Sequence, residues 1–205
     1  NSGRIGSQRD AHSAAIEDLA RRYAVDQAQA RRVARAAATL LRPLWPLASA
    51  LPQQEAQRQL EQQLAWAARL HEIGAWIAYP DYHKHGAYVL EQSELRGFSL
   101  AEQHRLALLV LGQRGKLRKV ETQFGDGDFI RQLLALRLAV LLCHARRDPK
   151  LDGIALAADR PGQGFALTLP AGWSAAWPQS AYLLHEEEIA WQRTPWRLRV
   201  IERRA

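Results

Sequence analysis

A histidine beside an acid, His71-Glu72, ends an apolar helical run, and a dozen residues later comes a second cluster, His83-Lys84-His85. Imidazole and carboxylate together suit Zn, Mn or Fe. Cationic side chains at a helix start suit phosphate, because the helix N-terminus adds partial positive charge there. The stretch therefore reads as a metal or phosphate site between helices. Spacing alone favours the plainer version, in which His71 packs or caps at a helix end and the other histidines contact phosphate at the surface. A second set is purely basic. Arg114, Lys116, Arg118 and Lys119 fall in a breaker-rich loop over 113–127, and Lys84, Arg31, Arg32 and Arg35 lie on helices. Any one of these alone reads as a solvated charge. The loop as a unit reads as a flexible polyanion groove.

Other chemistries lack their residues. There is no nucleophile elbow, no Gly-rich phosphate loop and no Cys pair. No aromatic stripe interleaves the basic residues, which weakens a role in stacking single-stranded bases. His185-Glu186-Glu187-Glu188 reads as a solvated helix face, and Trp66, Trp76 and Trp191 read as core packing.

The elements that must position these groups are mostly helical. Residues 1–10 are polar and read as a mobile lead-in. Helical spacing of apolar residues covers 11–24, and Asp26 is an N-cap for a helix running to about Leu41. Pro43, Pro46 and Pro52 break the chain. A third helix over about 53–73 turns apolar at Leu64-Ala65-Trp66-Ala67, with Gly74 as its C-cap. A fourth runs from about Lys84 to Ser93. A fifth is capped by Ser99 with Glu102 three positions on, a capping box. A sixth, about 128–146, is the most apolar and should be the central core helix. Beyond Pro149 the pattern changes. Strands are expected at 154–156 and 165–169 around the turn Pro161-Gly162-Gln163-Gly164, a helix at 179–192, and a last strand at 196–201 with Arg197 and Arg199 facing out. The expected fold is mainly α, an all-α domain over 1–148 followed by a small α+β domain over 149–205.

Composition bounds the function. The chain has 205 residues, enough for a sizeable core, and 47% apolar residues, so disorder is not expected. Its net charge of +7 and pI of about 10.1 point to a polyanionic partner such as nucleic acid, polyphosphate, nucleotide or anionic lipid, unless Arg-rich composition alone accounts for them. One Cys, Cys143, excludes a disulfide framework and suits a reducing cytoplasm. No apolar run is long enough to span a membrane. The sequence contains no Met, which predicts a piece of something longer.

Three segments carry a family resemblance: LARRYAVDQAQARRV, then LHEIGAWIAYPDYHKHGAYVLEQSELRGFSLAEQHRLALLVLGQRGK, then LLALRLAVLL. They resemble the C-terminal half of the exopolyphosphatase/guanosine pentaphosphate phosphohydrolase (Ppx/GppA) family, and AGWSAAWPQSAYLLHEEEIAWQRTPWRLRV resembles its small terminal α+β domain. Residues 70–98 are the most specific. There the family reads roughly L-H-[DE]-I-G, then H-x-H-[SG]-A-Y-[IV], then S-x-L-x-G-F. The resemblance implies an HD-like helical domain, preceded in full-length members by two actin-like domains that hold the phosphohydrolase site. Positions that bind metal in HD enzymes fall on Gln29, His71, Glu72 and Cys143. Only His71 is a strict ligand, with Glu72 a possible second, so a metal-free, catalytically silent domain is expected. The run Gly112-Gln113-Arg114-Gly115-Lys116 keeps the charge of a family motif and loses its His.

The resemblance thus implies a non-catalytic part of an exopolyphosphatase acting on inorganic polyphosphate or pppGpp, with roles in polyphosphate binding, processivity and homodimerisation. His83, Lys84, His85, Arg114, Lys116, Arg118 and Lys119 are the expected polyphosphate contacts. No cofactor is expected in this chain, Mg is expected for the full-length enzyme, and the expected location is the cytoplasm. Two alternatives stay open: an active HD-type metal phosphohydrolase acting on a nucleotide, and a nucleic-acid-binding or signalling domain.

Overall fold

A computed structural model describes residues 2–45, 50–159 and 162–204, with side chains from Ala11 onward. Six helices come first: α1 (Ser2–Arg22), α2 (Gln27–Leu41), α3 (Leu51–Arg69), α4 (Tyr82–Gln92), α5 (Leu100–Gly112) and α6 (Gly127–Leu142). Short 3-10 segments lie at Arg42–Leu44, Ile73–Trp76 and Leu117–Gln123. Then follow β1 (Ala155–Asp159), β2 (Gly164–Leu169), α7 (Trp173–Ala176), α8 (Pro178–Gln192) and β3 (Arg197–Glu202). The protein is mainly helical with a small α+β part, as the apolar periodicities predict. Pro46 and Pro161 lie outside the described residues.

Caps set the helix starts. Asp26 accepts from the backbone N–H groups of Ala28 and Gln29 at 3.0 and 3.1 Å. Ser99 and Glu102 satisfy each other's backbone N–H in a capping box. Asp126 caps α6 in the same way as Asp26 caps α2. Helix α6 buries Phe129, Ile130, Leu133, Leu134, Leu136 and Leu138 on every side, as expected of a helix apolar all round. It ends at Leu142, not 146. Arg146 adopts φ +53° in the following turn, a left-handed conformation that costs a side-chain-bearing residue energy.

Several local expectations are corrected. The polar lead-in is helical from Ser2. Helix α3 stops at Arg69, capped by Leu70, so Gly74 is not its cap. Gly74 instead permits a close backbone approach: a Cβ there would lie 2.0 Å from the Tyr82 carbonyl oxygen and 2.4 Å from the Gly86 nitrogen. The basic loop is not free chain. Leu117 and Val120 are buried and anchor it as 3-10 turns. Trp76 is 64% exposed and does not pack, whereas Trp66 and Trp191 do.

The sheet order is β1-β2-β3. β1 and β2 pair antiparallel, while β2 and β3 pair parallel with Phe165 opposite Leu198. A parallel pair needs a long crossover, and α7 with α8 supplies it. Period-two alternation buries Phe165, Leu167 and Leu169. On β3, Arg197 and Arg199 face out as expected, and Arg199 reaches Asp159 at 2.8 Å. Buried side chains from α2 to α6 and from the sheet form one continuous core.

One buried ion pair joins the two parts. Arg137 of α6 donates from Nε and Nη2 to both oxygens of Glu187 on α8, at 2.6 and 2.8 Å. Its Nη1 donates to the carbonyls of Gly112 and Gly115, and Trp191 Nε1 donates to Glu187. Glu187 is therefore not on a solvated face. Removing one partner strands a buried charge, which costs about 3–5 kcal/mol. Glu187→Ala should lower unfolding stability by that amount in urea titrations, while the double change Arg137→Met with Glu187→Leu should cost far less.

Candidate functional site

Between the helical part and α8 lies a cleft of about 410 Å³. Its floor and walls include His71, Glu72, Tyr79, Tyr82, Gln113, Arg114, Gly115, Arg137, His144, Arg146 and Glu186. The element ends explain why these residues converge. His71 and Glu72 follow α3, Tyr82 opens α4, Gln113 to Gly115 follow α5, and Arg146 follows α6.

The four positions matched to metal ligands are drawn together in part, in an arrangement that suits a divalent ion poorly. Gln29 Nε2 donates to the Cys143 carbonyl at 3.0 Å, and Gln29 Oε1 accepts from Arg32 at 2.6 Å, so both ends of its amide are engaged. His71 Nδ1 sits 2.7 Å from the Ala68 carbonyl, and burial pushes its pKa down, keeping the ring neutral. Glu72 is paired by Arg146 at 2.8 Å, and the same guanidinium reaches Asp26 at 2.8 Å. A guanidinium thus already neutralises the carboxylate a metal would need. Cys143 is buried, and burial pushes its thiol up to about 12, so the thiolate a metal would bind is disfavoured. Among the described residues, no group of three or more metal-ligating side chains is gathered. The residues present do not fit a metal.

The basic candidates form a cluster beside the cleft. Arg114 lies over the Tyr82 ring, 5.3 Å from its centroid. Lys119 Nζ donates to the carbonyls of Leu111 and Arg114 at 3.1 and 2.7 Å, tying the 3-10 segment to the end of α5. Gly115, at φ +74°, bears no Cβ, and one added there would meet Lys119 Nζ at 3.4 Å and His83 Nε2 at 3.7 Å. Lys84 is exposed and pairs with Asp81 at 3.0 Å. Burial and the nearby charges of Arg137, Lys84 and Arg114 push Lys119 down to about 8. Burial and Lys119 push His83 down to about 4, so at neutral pH it offers a ring nitrogen rather than a charge. His85 is half-buried one step along α4, while Lys116 and Arg118 are exposed, and Arg118 lies 3.7 Å from Glu121. The structure thus gathers His83, Lys84, Arg114 and Lys119. Lys116 and Arg118 stand outward on the same segment. Arg31 and Arg35 line a separate groove between α1, α2 and α3.

Sequence reasoning missed Arg137, Arg146, Gln113 and the two tyrosines. A charge within the apolar run of α6 was a readable signal for a buried partner. Nothing in the sequence marks Arg146, whose role depends on the turn after α6.

Two buried histidines make stability depend on pH. In the folded state His71 and His83 both lie below the ordinary value of 6.5. The unfolded chain therefore binds protons that the folded chain refuses, and stability is lost as pH falls from about 6.5 toward 4. Urea midpoints measured across that range should drop, and His83→Gln should shrink the drop. A midpoint independent of pH there would contradict the burial described.

Comparison with known proteins places the chain. The family model for "Ppx/GppA phosphatase, domain III" matches residues 12–188. A guanosine-5'-triphosphate,3'-diphosphate pyrophosphatase of Pseudoalteromonas translucida is 32% identical over 197 residues, covering 92% of this chain and 37% of that protein. Proteins of the same name from Aeromonas hydrophila and Aeromonas salmonicida are 32% and 30% identical, each covering 94% of this chain and 38% of their own length. The chain therefore spans less than two-fifths of the curated relatives it matches. With a family match over most of its residues and these identities along nearly its whole length, the chain belongs to the Ppx/GppA phosphatase family.

Proposed function

We propose that this chain holds the phosphate chain of the substrate, inorganic polyphosphate or pppGpp, for a Ppx/GppA phosphohydrolase whose bond-breaking residues lie in actin-like domains outside these residues. The observation that carries this reading is the cationic cluster around Gly115. Lys84, Arg114 and Lys119 share a small region in which Asp81 pairs with Lys84, and burial together with the charges of Arg137, Lys84 and Arg114 depresses Lys119. Such unneutralised charge is costly unless an anion completes it, and a phosphate chain does so through charge-assisted hydrogen bonds and counterion release. The names of the relatives support phosphoanhydride substrates.

The use of the acids supports a non-catalytic role for this chain. Glu72 is tied to Arg146, and Glu187 to Arg137, so neither is poised to move a proton. In this proposal Mg serves the hydrolytic site of the full-length enzyme. Homodimerisation and a cytoplasmic location belong to the same reading, and sedimentation of the purified chain tests the first.

Polyphosphate affinity should fall steeply between about 50 and about 200 mM salt. Lys84→Ala with Arg114→Ala should weaken it roughly tenfold, about 1.4 kcal/mol, and flatten the salt slope. Affinity unchanged by salt or by the substitutions would sink the proposal. Raising the pH from 7 to 9 should also weaken binding, because Lys119 loses its proton near 8. In Lys119→Met that pH dependence should vanish, as read by fluorescence titration.

A further inference from the structure

Lysine is scarce in this chain. Of its 28 Lys and Arg residues only four are Lys, at positions 84, 116, 119 and 150. Lys84 and Lys119 belong to the cluster around Gly115, and Lys116 stands on the same segment. A guanidinium holds phosphate at least as well and stays charged. An amine adds the ability to shed a proton and become a nucleophile. Lys119 is the one held in place for that. Lys84 and Lys116 are exposed, whereas Lys119 is half-buried. Its Nζ donates to the carbonyls of Leu111 at 3.1 Å and Arg114 at 2.7 Å.

An ammonium carries three protons, and the two carbonyls use two. On deprotonation those two hydrogens stay with the carbonyls, and the lone pair takes the remaining position. The space beside the amine is open, because Gly115 has no side chain. A Cβ there would lie 3.4 Å from Lys119 Nζ and 3.7 Å from His83 Nε2. Charged groups face the amine from several elements: Arg137 from α6, Lys84 and Asp81 from the start of α4, and Arg114 from the end of α5. Burial first, and then the charges of Arg137, Lys84 and Arg114, bring Lys119 down to about 8. About a tenth of these amines are then neutral at pH 7, against roughly one in three thousand for an unperturbed lysine. The same cations define the reagent. An electrophile that carries a phosphate is drawn to Arg114 and Lys84 and delivered to the amine beside them. An acyl phosphate is such a reagent, and its phosphate is also its leaving group.

We propose that Lys119 is an acylation site, at which an acyl phosphate sets its phosphate on Arg114 and Lys84 and its carbonyl carbon over Gly115, within reach of the amine. The nitrogen lone pair forms a bond to that carbon. The bond from the carbon to the phosphate oxygen breaks, and its electron pair leaves with the phosphate. The surplus proton of the nitrogen goes to the departing group, so the products are an amide and hydrogen phosphate. The amide is uncharged. Acylation thus removes one cation from the cluster and fills the space over Gly115, and phosphate chains are held less tightly. This rests on the phosphate-holding reading above and adds to it a means of turning that hold down.

The test is incubation of the chain with acetyl phosphate at pH 7, with acetylation at each of the four lysines followed by peptide mass spectrometry. Lys119 should react about tenfold or more faster than Lys150, which is exposed between α6 and β1. Excess inorganic phosphate, or Arg114→Ala, should slow Lys119 by a comparable factor and leave Lys150 unchanged. The acetylated chain should bind tripolyphosphate roughly fivefold more weakly than the untreated chain. Equal rates at all four lysines, or a Lys119 rate that ignores both phosphate and Arg114→Ala, overturns the acylation site, while tripolyphosphate binding to the untreated chain keeps the phosphate-holding reading. Acetylation of Lys119 without loss of tripolyphosphate affinity overturns the control proposed for it. Failure of tripolyphosphate to bind the untreated chain overturns both readings.

Discussion

The molecule depends on a guanidinium placed where a hydrocarbon would be expected. Arg137 projects from the most apolar helix into a space with almost no water. Four of its five donors are answered, by both oxygens of Glu187 and by the backbone carbonyls of Gly112 at the end of α5 and of Gly115. Three separate stretches of chain are thereby held to one point. A buried pair of this kind need not exceed an apolar pair in stability. What it does impose is geometry, because a planar fork is satisfied by few arrangements. The position of α8 against α6, the end of α5 and the turn at Gly115 are fixed together.

That arrangement explains the electrostatics of the cleft. Glu187 is spent on Arg137, and Glu72 and Asp26, the acids that act on His71, are both paired with Arg146. The imidazole is buried without a full counter-charge and stays neutral. A region whose residue types suggest a metal centre becomes one stabilised by guanidinium groups, and the free positive charge is displaced to the neighbouring cluster at Lys84, Arg114 and Lys119. The strained backbone at Arg146 fits the same logic, since strain of that kind persists where surrounding contacts over-determine it.

Much of the fold is legible in the sequence. Apolar periodicity fixes the helices, and Asp26, Ser99 and Pro43 mark their ends by side-chain chemistry that acts over three or four residues. The central place of α6 follows from its apolar content alone. The site is less legible, because its partners lie far apart: Glu187 follows Arg137 by 50 residues, and Arg146 follows Glu72 by 74. Trp76 reads as core by type, yet it ends a tight 3-10 turn in which Gly74, not Trp76, meets α4, and its own side chain stands exposed. Glu187 reads as surface for the opposite reason, since its two acidic neighbours disguise the one carboxylate that faces inward.

The close approach at Gly74 carries one more consequence. Where Gly74 meets the Tyr82 carbonyl and the Gly86 nitrogen, two stretches of backbone touch with no side chain to cushion them. The turn that carries Tyr79 and the helix that begins with Tyr82, His83 and Lys84 are therefore seated on each other without slack. The distance from the turn at Tyr79 to the start of α4 at Lys84 is set by the backbone itself, and changes in the side chains along the way leave that distance unaltered.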